Sequence, residues 1–243
     1  MSAEASQTTP CCVGVRSGYS AAMTAVAQLH YLPGAGSFAP HVLLEEVGLP
    51  YALVRVQRDE TGQVVEPAGY LALNPSGRVP TIIWEDGSVQ TESAAICLSI
   101  AERGPAGAFM PMLDDPARPA FLARVAFLTN TVQTAILRAR YPQRFVTGAE
   151  HQAAVAVHAT EELAVLRGRC AGWYATGADY VAGGQPRVDD VFLAMLIRWT
   201  RLTESPWWND AVLGALFDRV FALPGAERAL ALEGIEARPP AGT

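Results

Sequence analysis

Residues 27–31, AQLHY, alternate apolar and polar side chains as a short strand does. The next stretch, 32–40, is broken by Pro33, Gly34, Gly36 and Pro40. In 41–48, HVLLEEVG, Val42, Leu43, Leu44 and Val47 fall on one helical face, and Gly48 stands where a helix stops. Residues 51–56, YALVRV, predict a second strand. Strand, helix and strand in such quick succession suggest a βαβ unit with parallel strands. Residues 57–78 are polar and predict loop, with a short helical turn near Ala68–Leu73. TIIWE (81–85) and SVQT (88–91) then predict two strands around the turn Asp86–Gly87, a strong hairpin signal. Thr91-Glu92-Ser93 opens a helix with a capping residue, and Ala94, Ile96, Leu98 and Ile100 carry it toward Gly104.

The rhythm changes after that point. Residues 105–119 contain Pro105, Pro111, Pro116 and Pro119 and read as a linker. From residue 120 the pattern is helical, with Phe121, Val125, Leu128, Val132 and Ile136 at steps of three or four. Val191, Met195, Leu196, Trp199 and Leu202 repeat it, as do Trp208, Val212, Leu216 and Phe221. Pro142, Pro186, Pro206 and Pro224 fall between these segments, where helices break. The expected organisation is a poorly ordered, disordered extension over 1–26, an α/β domain over 27–104, a linker over 105–119, an all-α domain of about five helices over 120–235, and a fraying tail over 236–243.

Composition narrows the function classes. Half of the 243 residues are apolar and 17% are charged, enough for sizeable cores. The net charge is −6 and every basic residue is Arg, with no basic run, which argues against a nucleic-acid partner. No apolar stretch is read as approaching the roughly 20 residues of a membrane span, and residues 1–26 fit a secretory signal poorly. Cys11, Cys12, Cys97 and Cys170 form no C-x-x-C and no cluster with metal-ligand spacing, so the expectation is no metal and free thiols in a reducing cytoplasm.

Two stretches carry candidate chemistry. In LNPSGRVPTI (73–82), Asn-Pro-Ser-Gly is a turn and Val79-Pro80 heads a strand. A cis bond there would turn the Val79 N–H and C=O outward to pair with a peptide-like ligand, although cis is the minority form of X–Pro bonds in general. Thr91-Glu92-Ser93-Ala94 offers a helix N-terminus with a hydroxyl and free N–H groups, suited to a carboxylate, and Glu92 could accept from an ammonium group. The alternative is a plain helix start whose acidic residue suits the helix dipole.

The runs YLPGAGSFAPHVLLEEVGLPYALVRV, LNPSGRVPTIIWEDG, TESAAI, RVDDVFLAMLIRW and LPGAERALALEGI, in this order, resemble the glutathione S-transferase family, in its bacterial beta-like flavour, over about residues 27–235. The resemblance implies an α/β plus all-α chain: an N-terminal thioredoxin-like βαβ–ββα domain and a C-terminal helical bundle. It implies glutathione as co-substrate, a cis Pro80, and a homodimer. Val79 would pair its backbone with the cysteinyl part of glutathione, Ser93 would bind the γ-glutamyl carboxylate, Glu92 the amine, and Arg78 would lie beside the peptide. Asp190 matches the family's buried helix-start Asp, but Arg187 stands where relatives carry a Ser or Thr cap, which leaves that cap incomplete at a cost of about 0.5–2 kcal/mol.

One departure matters most for chemistry. Where beta-like relatives carry a Cys, this chain has Gly36, so a mixed disulfide cannot form there. Ser37 and Tyr31 are the remaining candidate hydroxyls, each with a bland reading beside it: Ser37 as a helix cap, Tyr31 as a packed strand residue. His41, beyond the loop, reads as surface or structural. Gln133 falls where relatives tend to have a His. A free thiol has a pKa near 8.5, and lowering it by two units takes roughly 2.7 kcal/mol. A hydrogen bond to the anion is worth about 1.5–3 kcal/mol and a helix N-terminus about 0.3–1. One hydroxyl with adjacent N–H groups would therefore suffice. The implied reaction is attack of the glutathione thiolate on a small hydrophobic electrophile, held by Phe38, Thr131, Gln133, Ala135 and Arg138. A non-catalytic glutathione-binding module and a glutathione-dependent disulfide reductase or peroxidase are the alternatives.

Overall fold

The computed structural model describes residues 26–60, 62–203 and 205–239. The Cys11–Cys12 pair and, apart from Val26, the expected 1–26 extension lie outside them. Strand β1 (Ala27–Tyr31) runs into helix α1 (Phe38–Val47), which ends at Gly48 in the left-handed region with φ 74° and its N–H on the Leu44 carbonyl. That conformation costs a glycine little, and so stops the helix where the sequence reading puts it. Strand β2 (Tyr51–Arg55) then pairs parallel with β1, Leu29 opposite Leu53.

The segment read as loop contains more structure than its polarity suggests. A small antiparallel hairpin, β3 (Gln57–Arg58) and β4 (Val64–Glu66), precedes the short helix α2 (Tyr70–Leu73). The hairpin is exposed on both faces, so it has no apolar alternation for a sequence reading to detect. Strands β5 (Thr81–Ile83) and β6 (Val89–Thr91) complete a sheet of order β2-β1-β5-β6, with β5 antiparallel to β1. Leu29, Ile82, Val42, Leu43, Ile96 and Ile100 are fully buried and join this sheet to α1 and to α3 (Ser93–Arg103). No side chain caps α3, contrary to the expected capping residue; Glu92 precedes it at φ 70°.

Helix α4 (Arg118–Phe127), a π-helical turn (Leu128–Gln133) and α5 (Thr134–Arg140) form one continuous helical stretch. At 23 residues it has the length and apolar composition of a membrane span, which corrects the expectation that no stretch approaches one. Its predicted stripe of Phe121, Val125, Leu128, Val132 and Ile136 is nevertheless buried within the protein core. The remaining long helices are α6 (Ala149–Gly172), α7 (Val188–Trp199), α8 (Ala211–Phe221) and α9 (Pro224–Glu233). Helix α7 is buried along its whole length, as befits the centre of a helical layer. Helix α1 packs on both α7 and α9, and the Phe38 ring stacks on Phe221 of α8 at 5.5 Å, so the two halves share one core.

The start of α7 is held by Asp190. Its carboxylate accepts from the Arg187 N–H (2.9 Å), the Val181 N–H (3.1 Å) and the Tyr174 hydroxyl (2.9 Å). The reciprocal half is missing, because Arg187 has no acceptor; its guanidinium lies 3.8 Å from Asp115 instead. Burial, with the Asp189 charge beside it, pushes the Asp190 carboxyl from 3.8 up to about 6. The sign follows: the unfolded chain ionises first, so this group's stabilisation is full below about pH 4 and is lost as pH rises through about 6. Urea unfolding across pH 4–7 should show the parent losing stability relative to Asp190→Asn over that window; a constant difference would refute this account. Asp190→Ala, which leaves the buried Tyr174 hydroxyl and two half-buried N–H groups without their acceptor, should cost about 3 kcal/mol or more at pH 4.

Candidate functional site

The loop between β1 and α1 is tied down from three sides. The Gly34 N–H donates to Glu233 Oε2 at 2.7 Å, and its carbonyl accepts from Trp199 Nε1 at 3.0 Å. Gly34 sits at φ 64°, a conformation that favours glycine, and a Cβ there would lie 2.5 Å from Arg198 Nη1, so that the guanidinium would have to shift. Arg198 itself donates to the Glu236 carbonyl from Nε (3.1 Å) and Nη2 (3.0 Å), and burial lowers its pKa to about 10. The other Glu233 oxygen lies 2.8 Å from His41 Nδ1, and His41 Nε2 lies 2.8 Å from the Tyr51 hydroxyl. Tyr51 donates in turn to Glu45, which also accepts from Arg228 Nε at 2.6 Å. His41 is fully buried, so of its two expected roles the structural one holds and the surface one does not.

Ser37 is also fully buried. Its hydroxyl donates to the Leu32 carbonyl (3.2 Å) and accepts from the Leu32 N–H (3.3 Å). It closes the loop on itself and makes no side-chain cap of α1. The Gly36 and Ser37 N–H groups, at the entry to α1, are left without a partner among the described residues. Tyr31 is packed in the core with its ring centroid 6.4 Å from that of His41.

Residues far apart in sequence meet at Gly36. A Cβ on Gly36 would lie 2.9 Å from Ser93 Oγ, 3.3 Å from the Val79 carbonyl oxygen and 3.6 Å from Pro80 Cδ. The Val79–Pro80 bond is cis, as is Glu66–Pro67. Behind it, the Arg78 carbonyl accepts from the Tyr70 hydroxyl and from Asn74 Nδ2 (2.9 Å), which holds the approach to Val79 in place. Glu92 is exposed and is the single non-glycine residue with positive φ among those described. Such a conformation costs on the order of 1–3 kcal/mol and persists only where the surroundings impose it.

Gly36 and Val79 line a cleft of about 510 Å³, whereas Pro80, Glu92 and Ser93 do not reach it. One wall is the loop 32–36 with Arg58, Arg78 and Val79; the facing wall is Gln133, Leu137, Arg140, Tyr141 and Arg144; Trp199 and Arg201 close a further side. Of the residues expected to hold the electrophile, only Gln133 reaches the cleft. Phe38 and Ala135 are buried in the core, and Arg138 turns away to Glu162 at 2.5 Å; Thr131 does not line it. The error is one of helical face. Stepping by four and three from Gln133 leads to Leu137 and Arg140, a rule the sequence could have supplied; nothing in the sequence pointed to Trp199 or Arg201.

The described thiols lie elsewhere. Cys97 and Cys170 are free and buried, and burial pushes Cys97 well up and Cys170 up to about 12, so neither is a nucleophile at neutral pH. Among the described residues no group of His, Cys, Asp and Glu could hold a metal.

The family model described as glutathione S-transferase, N-terminal domain, matches residues 37–103. Glutathione S-transferase GstA of Escherichia coli O157:H7 is 24% identical over 216 residues, covering 86% of this chain and 100% of the relative. A beta-class glutathione S-transferase of Sphingomonas chungbukensis has a solved structure that aligns with a TM-score of 0.72 at 28% identity, over 86% of this chain and all of that one. A sphingomonad glutathione S-transferase solved with glutathione aligns at 29% identity and a TM-score of 0.70, over 86% of this chain and all of that one.

Glu233→Gln keeps the shape but turns an amide N–H₂ toward either the Gly34 N–H or His41. The expected loss is about 1–3 kcal/mol of unfolding free energy, read from the urea midpoint. An unchanged midpoint would show that the loop does not depend on this carboxylate.

Proposed function

From a chain that carries the N-terminal domain of glutathione S-transferases on the fold of that family, we propose a glutathione transferase that adds the glutathione thiolate to a small electrophile. The observation that carries the reading is the meeting of Gly36, Val79, Pro80 and Ser93, two of which, Gly36 and Val79, line an open cleft. Glutathione placed there has its cysteinyl amide on the Val79 backbone, its γ-glutamyl carboxylate on Ser93 and the start of α3, its amine on Glu92, and Arg78 beside the peptide. A helix start offers N–H groups and a positive dipole end to a carboxylate. The sulfur then points at Gly36.

The thiolate is proposed to rest on the Gly36 and Ser37 N–H groups at the start of α1. The Ser37 hydroxyl is already engaged with Leu32, and Tyr31 is buried away from the cleft. Two N–H donors to an anion, with the helix dipole, supply the roughly 2.7 kcal/mol that a two-unit lowering of the thiol pKa requires. The electrophile enters over Gln133 and Leu137. The proposed working form is a homodimer in a reducing cytoplasm, which suits the free thiols of Cys97 and Cys170.

The absence of any side chain at position 36 favours one competing reading, a glutathione-binding module without turnover. Calorimetry with glutathione and a conjugation assay with 1-chloro-2,4-dinitrobenzene separate the two: binding with turnover supports the transferase, binding alone the module. Ser93→Ala should weaken glutathione about ten-fold or more, the loss of a hydrogen bond to a carboxylate. An affinity equal to the parent's would remove Ser93 from the site.

A further inference from the structure

The protein is acidic overall, at −6, yet five of its 18 arginines line this one cleft. No Asp or Glu side chain lines it among the described residues. Like charges brought together repel, and an anion bound among them relieves that repulsion.

The five divide by wall. Arg58 and Arg78 lie on the glutathione side, and Arg58 is engaged with the Gly62 carbonyl at 2.7 Å and with the Gly77 carbonyl. Arg140, Arg144 and Arg201 lie opposite, on the helical half. Two of them surround one ring: the Arg140 guanidinium carbon is 5.1 Å and the Arg144 carbon 4.0 Å from the Tyr141 centroid. Arg201 Nη1 is buried and donates to nothing. Burial lowers the Arg201 pKa, and the positive charge of Arg140 lowers it further, which places the two guanidinium groups in each other's field. Neither Arg140, Arg144 nor Arg201 is in an ion pair among the described residues. A buried guanidinium N–H without an acceptor, on a residue that lines the cleft, is an unmade hydrogen bond.

We propose that the second substrate is an anionic electrophile: a small planar molecule bearing a carboxylate, which Arg140, Arg144 and Arg201 receive. This rests on the transferase reading of the same cleft and narrows the small hydrophobic electrophile of the sequence reading to one that carries an anionic group. The carboxylate's two oxygens match the fork of a guanidinium. The flat body lies along Tyr141, Leu137 and Trp199, which are apolar or aromatic. With an aryl halide of this class, the glutathione sulfur forms the C–S bond at the halogenated ring carbon. The C–halogen pair leaves as halide, with no change of oxidation state beyond the substitution and the thiol proton released to water. The carboxylate anchor sets the ring's distance from the sulfur and takes no part in the bond changes.

The test uses unreactive probes on the glutathione-saturated full chain. Binding of 4-nitrobenzoate is compared with that of its neutral counterpart 4-nitrotoluene, by calorimetry. The expected result is a preference for the anion of about ten-fold to hundred-fold, the range of one or two charge-assisted hydrogen bonds, weakening as salt is raised. Arg201→Gln and the exposed-site variant Arg144→Gln should each reduce that preference several-fold; Arg144 serves if Arg201→Gln does not fold. Equal affinity for the two probes in the parent overturns the proposal. So does a loss of glutathione affinity in the variants that matches the loss for 4-nitrobenzoate, since the arginines would then serve glutathione. Failure of the parent to bind glutathione at all is a separate result that overturns the transferase reading, and the probe comparison on the free chain then still decides whether the cleft selects anions.

Discussion

The buried carboxylate of Glu233 holds the arrangement together. It lies at the end of α9, yet it binds the backbone of Gly34 and the ring of His41, 199 and 192 residues away in sequence. An unpaired carboxylate in such a place would be strongly unfavourable, so the last helix and the first loop are stable only together. Trp199 and Arg198 add to the same junction from α7. The loop facing the cleft is therefore positioned by the far end of the chain.

Rigidity at Gly34 and openness at Gly36 are complementary. Gly34 is hemmed in by Arg198, while Gly36 faces the corner where Ser93 and the Val79 carbonyl approach. A larger side chain at 36 would need those neighbours to shift, since its Cβ would sit 2.9 Å from Ser93 Oγ. The loop can thus present its N–H groups directly, and in the proposed reaction the backbone and the helix start behind it take the part of a side chain. On the opposite wall the unpaired arginines make the cleft positive within an acidic protein, a field that raises the local concentration of anions.

Legibility followed burial and periodicity. The strands of the main sheet, the stop at Gly48, the Asp86–Gly87 turn and the core stripe of the 118–140 helix were all readable, because each has a local pattern that packing reinforces. The β3–β4 hairpin was not, since it is exposed on both faces. The cleft-facing residues of α5 were misread because a hydrophobic stripe marks the core face and leaves the other faces equivalent. Ala135 turns into the core and Arg138 toward Glu162, while Gln133, Leu137 and Arg140 line the cleft, and only packing against the first half of the chain decides this.

The sequence by itself determined the order of elements, the division into a sheet-bearing half and a helical half, and the runs around Gly36, Val79 and Ser93 that point to glutathione. Those are properties of local pattern and of residue type. The tertiary structure alone decided that Ser37 turns inward to Leu32, that His41 is buried against Glu233, and that Arg140, Arg144 and Arg201 converge on one cleft. Each of these depends on which side chains from distant segments share a small volume, and on burial making every unpaired polar group there costly. No window of sequence contains that information.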